Sequence, residues 1–168
     1  MALAQTTRST SNSTNLKRPI VLMTIDGGTN WFRMSSWIAS MNASGGEAAE
    51  SEYKYFEGAT ETVTDAPGDQ QWEFSMRYSE GSTEPYRNLF DHFTDTSNDS
   101  LIGIRFFKGS AVADDFGWYI DGKITFVSAP QNIDANSTNP NDFVLRVKGT
   151  IAAYTVVAGD LLATPSYA

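Results

Sequence analysis

The chain has 168 residues, 40% of them hydrophobic and 12% aromatic, with a formal charge of −8 and no cysteine. That length and apolar content fit one packed domain and exclude wholesale disorder, while the missing thiols exclude a disulfide framework and a thiolate metal site. Charge is unevenly divided: Arg8, Lys17, Arg18 and Arg33 stand against Asp26 alone in residues 1–40, whereas thirteen carboxylates outnumber Lys54, Arg77 and Arg87 in residues 41–100, which argues against a phosphate-gripping surface. By default such an acidic stretch is a solvated face.

Residues 1–18 are rich in Ser, Thr and Asn, have almost nothing to bury and read as a flexible arm, with residues 19–168 as the single domain. They lack the apolar core of a secretion signal, and no run of about 18 apolar residues occurs, so neither export nor a membrane span is expected. Synthesis in the cytoplasm is the corresponding expectation.

Pro19 to Ile25 predicts a short apolar strand, and Asp26-Gly27-Gly28 turns it into a hairpin partner over residues 30–37. Met41 to Glu52 is small and polar and predicts a loop, most pliable at Gly45-Gly46, with at most one helical turn. Tyr53 to Val63 predicts one strand bulged at Gly58. From Gln71 to Tyr78 apolar Trp72, Phe74, Met76 and Tyr78 alternate with polar Gln71, Glu73, Ser75 and Arg77, the period of an amphipathic strand. The period then changes: Tyr86, Leu89, Phe90 and Phe93 make the apolar stripe of a helix capped at Thr83 or Glu84, with Pro85 in its first turn. All four are expected in the core.

Leu101 to Lys108 predicts another strand, and Gly109 to Asp115 a turn. In Gly117 to Ser128, Trp118, Ile120, Ile124 and Phe126 share one parity and Tyr119, Asp121, Lys123 and Thr125 the other. Asp121-Gly122 either turns the chain tightly or lies within one long strand, and the unbroken parity favours the long strand. Residues 129–141 hold two prolines and read as a long exposed loop, after which Phe143, Leu145, Val147 and Ile151 alternate with Val144, Arg146, Lys148 and Thr150.

No catalytic constellation emerges. His92 is the lone histidine, which leaves a triad or imidazole metal cluster without a second member, and its place on the polar helix face predicts simple solvation. Asp114-Asp115 and the Glu57 and Glu61 pair lack the spacing that sets a glycosidase pair apart from surface acids. Asp95 to Asp99 lacks the glycine and distal glutamate of a calcium loop, and Asp26-Gly27-Gly28 lacks the Lys-Ser or Lys-Thr of a phosphate loop. No enzymatic activity, metal or cofactor is expected. Tyr119, Tyr53 and Tyr55 are conceivable sugar platforms, although strand aromatics more often pack.

The order of elements, with Trp118 to Asn132 (WYIDGKITFVSAPQN), Asp142 to Ile151 (DFVLRVKGTI) and the strand and helix of Trp72 to Phe93, resembles the major tail tube proteins of long-tailed, lambda-like bacteriophages. The resemblance implies an all-β fold with one helix, a β-sandwich whose inner sheet joins neighbouring subunits into a ring-shaped barrel. It further implies hexameric rings stacked into a conduit for genome ejection in a virion tail. The partners would be further copies of the chain and the tail terminator, distal tail and tape-measure proteins, with DNA passing unbound and no membrane involved. On this reading Glu50, Glu52, Glu57, Glu61, Asp65 and Glu73 are candidate lumen carboxylates, since a negative wall repels phosphates. Arg8, Lys17, Arg18, Gly45, Gly46 and Glu47 are candidates for ring stacking. The competing expectation is a carbohydrate-binding β-sandwich of a spike or fibre.

Overall fold

The computed structural model describes residues 18–47, 50–54, 58, 60–64, 68–79, 81, 84–131 and 141–162. The fold is all-β with one helix. Strands β1 (Ile20–Thr24), β2 (Phe32–Arg33), β3 (Ile38–Gly45), β6 (Gln70–Arg77), β7 (Leu101–Phe107), β8 (Phe116–Val127) and β9 (Asp142–Thr155) form one antiparallel sheet in the order β2, β1, β7, β8, β9, β6, β3. That sheet curls into a half-barrel. β4 (Glu50–Lys54) and β5 (Thr60–Thr64) form a separate two-stranded ribbon between β3 and β6.

The alternation read from the sequence fills the concave side. Trp72, Phe74 and Met76 of β6, Phe143, Leu145 and Val147 of β9, Ile120 and Ile124 of β8, and Ile102, Ile104 and Phe106 of β7 are all buried in one cluster. Each such side chain contributes about 1.5–3 kcal/mol when fully removed from water. The helix α1 (Pro85–Thr94) packs on this cluster through Leu89, with Tyr86 and Phe93 alongside. β1 is buried at every position because it is covered on both sides. Val21 and Met23 enter the main core, while Ile20 and Leu22 join Phe107 and Val156 in a smaller cluster beneath Trp31 and Leu161. That two-sided cover is why its sequence is an unbroken apolar run.

Four elements depart from the expectations. Residues 41–45, expected in a loop, belong to strand β3; as an edge strand it sends only Ile38 and Met41 towards the core, so its sequence shows no apolar period. An irregularity between Ile38 and Ser40 lets both residues point the same way. The expected single strand over 53–63 is instead the β4 and β5 hairpin, with Gly58 at φ +85° in its connection rather than at a bulge. β8 is one long strand, but an irregularity between Ile124 and Phe126 turns Phe126 outward and Val127 inward. Finally, Phe90 is 38% exposed and stacks on Tyr86 at 5.8 Å instead of entering the core.

Gly122 faces Gly149 across β8 and β9, and a Cβ on Gly149 would collide with the Asp121 carbonyl, so the two backbones meet there more closely than other residues allow. On the helix the burial difference sets a mutational contrast. Leu89→Ala should cost about 2–5 kcal/mol, and Phe90→Ala about 1 kcal/mol, in a denaturant titration. Equal losses would mean that α1 is rotated on the sheet.

Candidate functional site

Among the described residues, two stretches of sheet edge are left without a strand partner. β3 pairs with β6 on one side and, among the described residues, with nothing on the other. β9 pairs with β6 over Asp142 to Gly149, so among the described residues its end from Thr150 to Thr155 is laddered to β8 alone. Thr150 to Ala153 are exposed on both faces. Open edges of this length expose unpaired donors and acceptors and are templates for another chain.

Between these edges lies a polar sheet face. Asn42, Glu73 and Arg146 fall in register across β3, β6 and β9, and Arg146 Nε donates to Glu73 Oε2 at 2.8 Å. The same guanidinium lies 5.0 Å from the centre of the Phe126 ring. Lys148 Nζ is 3.7 Å from Asp69 Oδ2 and faces Lys123 across the ladder. Both pairs are too exposed to contribute much stability, but they balance the charge of this face.

The candidate lumen residues are thus divided. Glu73 is on the main sheet with an arginine partner, whereas Glu50, Glu52 and Glu61 are on the ribbon, and Glu57 and Asp65 lie outside the described residues. Of the stacking candidates, Arg8 and Lys17 also lie outside them, while Arg18 and Glu47 are exposed. Gly45 and Gly46 have φ of +79° and +80° at the junction between β3 and the ribbon. Two successive left-handed residues aim the ribbon, and a Cβ on Gly46 would also run into the Gln70 side chain. Gly46→Ala should therefore cost about 1–2 kcal/mol and redirect the ribbon, read as a loss of stability and altered protease cutting near residue 50. Wild-type values for both would contradict this role.

Among the described residues, the remaining polar side chains serve local structure. His92, expected to be merely solvated, bonds through Nε2 to the Leu101 carbonyl at 2.8 Å and ties α1 to the start of β7. Asp95 Oδ1 accepts from the Ser97 backbone and hydroxyl, and those bonds lower its pKa. The Asp115 carboxyl is likewise held down, by the Val112 backbone and Lys108. At Asp26 burial pushes the carboxyl up, but bonds from Asn30 and Thr24 outweigh it and leave the pKa lowered. No group of three or more metal-ligating side chains occurs among the described residues. Tyr119 is no open platform: it meets Trp31 edge-on at 6.2 Å, and burial raises its pKa. Tyr55 and the Tyr53 side chain lie outside the described residues.

One cluster was not anticipated. Asp160, only 4% exposed, accepts from Arg105 Nη1 at 2.8 Å, Tyr154 Oη at 2.7 Å and the Val157 backbone at 3.1 Å. Arg105 in turn lies over Trp31 at 3.8 Å and Tyr154 at 4.6 Å. The cluster pins the turn of Ala158–Leu162 over the smaller apolar core. The only hint in the sequence is that Leu161 follows an acid that could be drawn in with it.

No family model and no curated protein matches the chain. Solved structures do. A chain of the sheath–tube complex of an extracellular contractile injection system (PVC) in the extended state is 16% identical, with a TM-score of 0.60 over 89% of this chain and 100% of that one. A chain from the sheath/tube terminator of that system is 16% identical, with a TM-score of 0.61 over 87% and 99%. A chain from the six-fold symmetrised baseplate of the anti-feeding prophage is 10% identical, with a TM-score of 0.55 over 94% and 98%. At these identities the likeness is one of fold.

Proposed function

We propose that this chain is a non-enzymatic structural subunit of the tube of a phage tail or phage-like injection particle. Copies join side by side where the open edge of β3 meets the unpaired end of β9, closing six subunits into a ring whose polar sheet face lines a channel. Rings stack into a conduit through which DNA passes without specific binding. The observation that carries this reading is the pair of open edges flanking one polar face, on a fold similar to chains from sheath, tube, terminator and baseplate assemblies. The sheath–tube and terminator chains come from a contractile injection system, so the proposal keeps the tube role of the lambda-like resemblance and drops its restriction to lambda-like tails.

In this account residues 19–168 are the ring-forming domain and residues 1–18 an arm ordered by assembly. Terminator, distal tail and tape-measure proteins are the partners at the tube ends and in the channel. The subunit is made in the host cytoplasm and resides in the particle. Because Glu73 is matched by Arg146, the negative field that keeps DNA from adsorbing comes mainly from the chain's overall charge of −8, multiplied around the ring. Negative-stain electron microscopy of the purified chain tests the reading: six-fold rings or tubes are expected. Monomers retained on a glycan column would favour the sugar-binding alternative.

A further inference from the structure

At the seam of the half-barrel, where β1 and the start of β3 face one another, a groove of about 910 Å³ is open to solvent. Val21, Phe106, Ile38 and Met41 give it an apolar lining, and Arg18 and Arg33 line it as well. Among the described residues no carboxylate lies within ion-pair distance of either arginine. Its occupant should therefore be apolar with a negative charge beside it.

A surface of that kind lies at the far corner of the same sheet. Ile151 and Ala153, on the end of β9 that runs past β6, stand opposite Ile120 and Trp118 and so share the face that is packed elsewhere in the core. Here that face is left in water: Ala153 is exposed, Ile151 is 37% exposed, and Phe116, which meets Trp118 edge-on at 5.0 Å, is 59% exposed. Asp114, two residues before Phe116, is exposed and has no ion pair among the described residues. Arg18 and Asp114 are also two of the three non-glycine residues with positive φ among the described residues, at +54° and +71°, and such strained backbone fixes where their charges stand. Within one copy the corner and the groove do not meet. Ile38, Met76 and Phe143 fall in one row and Gly45, Gln70 and Gly149 in another, so Thr150 to Thr155 run on beyond the Gly45 end of β3, whereas the groove is at its Ile38 end.

We infer that the β8–β9 corner of one copy seats in the Arg18 and Arg33 groove of its neighbour in the ring, with Phe116 and Ile151 on the apolar lining and Asp114 answering the arginines. β9 is antiparallel to β6 and β6 to β3, so β9 runs parallel to β3. Copies turned about one axis keep that direction, and a strand added beside β3 places its alternate side chains on the faces that β3 already has. Ile151 and Ala153 then lie beside Ile38 and Met41 on the apolar side. This rests on the tube reading and deepens it: the edges supply backbone bonds to any strand, whereas the corner supplies the apolar contact and the charge that select a second copy of this chain.

Sedimentation velocity over a concentration series tests the seating. Phe116→Ser alters an exposed side chain, so the subunit should keep its circular dichroism while the concentration at which half the chain is assembled rises by about tenfold or more. Arg18→Glu with Arg33→Glu should raise it similarly, and adding Asp114→Lys to that pair should recover most of the loss, a rescue that misfolding would not give. The chain has no cysteine, so mixing Ala39→Cys chains with Ala153→Cys chains under mild oxidation should yield a disulfide-linked pair that neither gives alone. Wild-type assembly by the Phe116 and arginine variants, or no cross-link while wild-type rings form, overturns the seating and leaves the tube reading standing. A wild-type chain that stays monomeric overturns both. Assembly lost on deleting residues 2–15 but not on these substitutions assigns the groove to the N-terminal segment and also overturns the seating.

Discussion

Phe143→Ala should destabilise the isolated chain by about 3–5 kcal/mol, the range for deleting a fully buried aromatic ring. Phe143 is completely buried, faces Met76 across the β6 and β9 ladder, and meets Tyr86 edge-on at 4.9 Å. It is thus the place where the helix and two central strands share one contact. The cavity would open beneath α1, whose other fully buried apolar anchor is Leu89. For a domain of this size the midpoint of thermal unfolding should fall by roughly 6–20 °C. A fall of 1–2 °C would mean that the helix does not seat on this ring.

Asp160→Ala should be nearly as costly, for an electrostatic reason. It removes the carboxylate that answers Arg105 and also accepts from Tyr154 and the Val157 backbone. Breaking a buried pair from one side costs about 3–5 kcal/mol. The lower end applies here because the Arg105 side chain keeps 22% of its exposure, although its Nε is already buried without a partner. Asp160→Asn, which keeps an acceptor, should lose less. Burial first, and then the bond to Asp160, push the Tyr154 phenol from an ordinary value near 10.0 up to about 12. The folded state therefore prefers the neutral phenol. That contribution is complete below pH 10 and is lost as pH rises through about 12. Tyr154→Phe should flatten the alkaline stability profile over that interval, and an unchanged slope would show that the phenol is not held this way.

The central strands and the helix were legible because each buries one face only, so β6, β8, β9 and α1 carry their periods in plain view. Phe90 failed because helical spacing marks a stripe without saying how wide the stripe's contact is, and Leu89 alone occupies its centre. β3 was invisible because an edge strand bordered by solvent needs little apolar sequence, and Ala43, Ser44 and Gly45 look like loop. The ribbon looks like one strand in sequence because nothing local distinguishes a bulge glycine from a hairpin glycine at Gly58. Asp160 and Arg105 are 55 positions apart, a distance over which only the fold could join them. Regional charge marks the acidic candidates, but it does not show that Glu73 faces Arg146 while Glu50 and Glu52 leave the sheet altogether.

The central claim is that the two open edges close copies of this chain into a ring. Native mass spectrometry of the full chain, purified at low salt and concentrated, tests it most directly. The account predicts a dominant species of six copies of 18.4 kDa, with multiples of six as rings stack. A spectrum holding only the 18.4 kDa monomer at every concentration would contradict it, because the edges of β3 and β9 would then be stable in water without a partner.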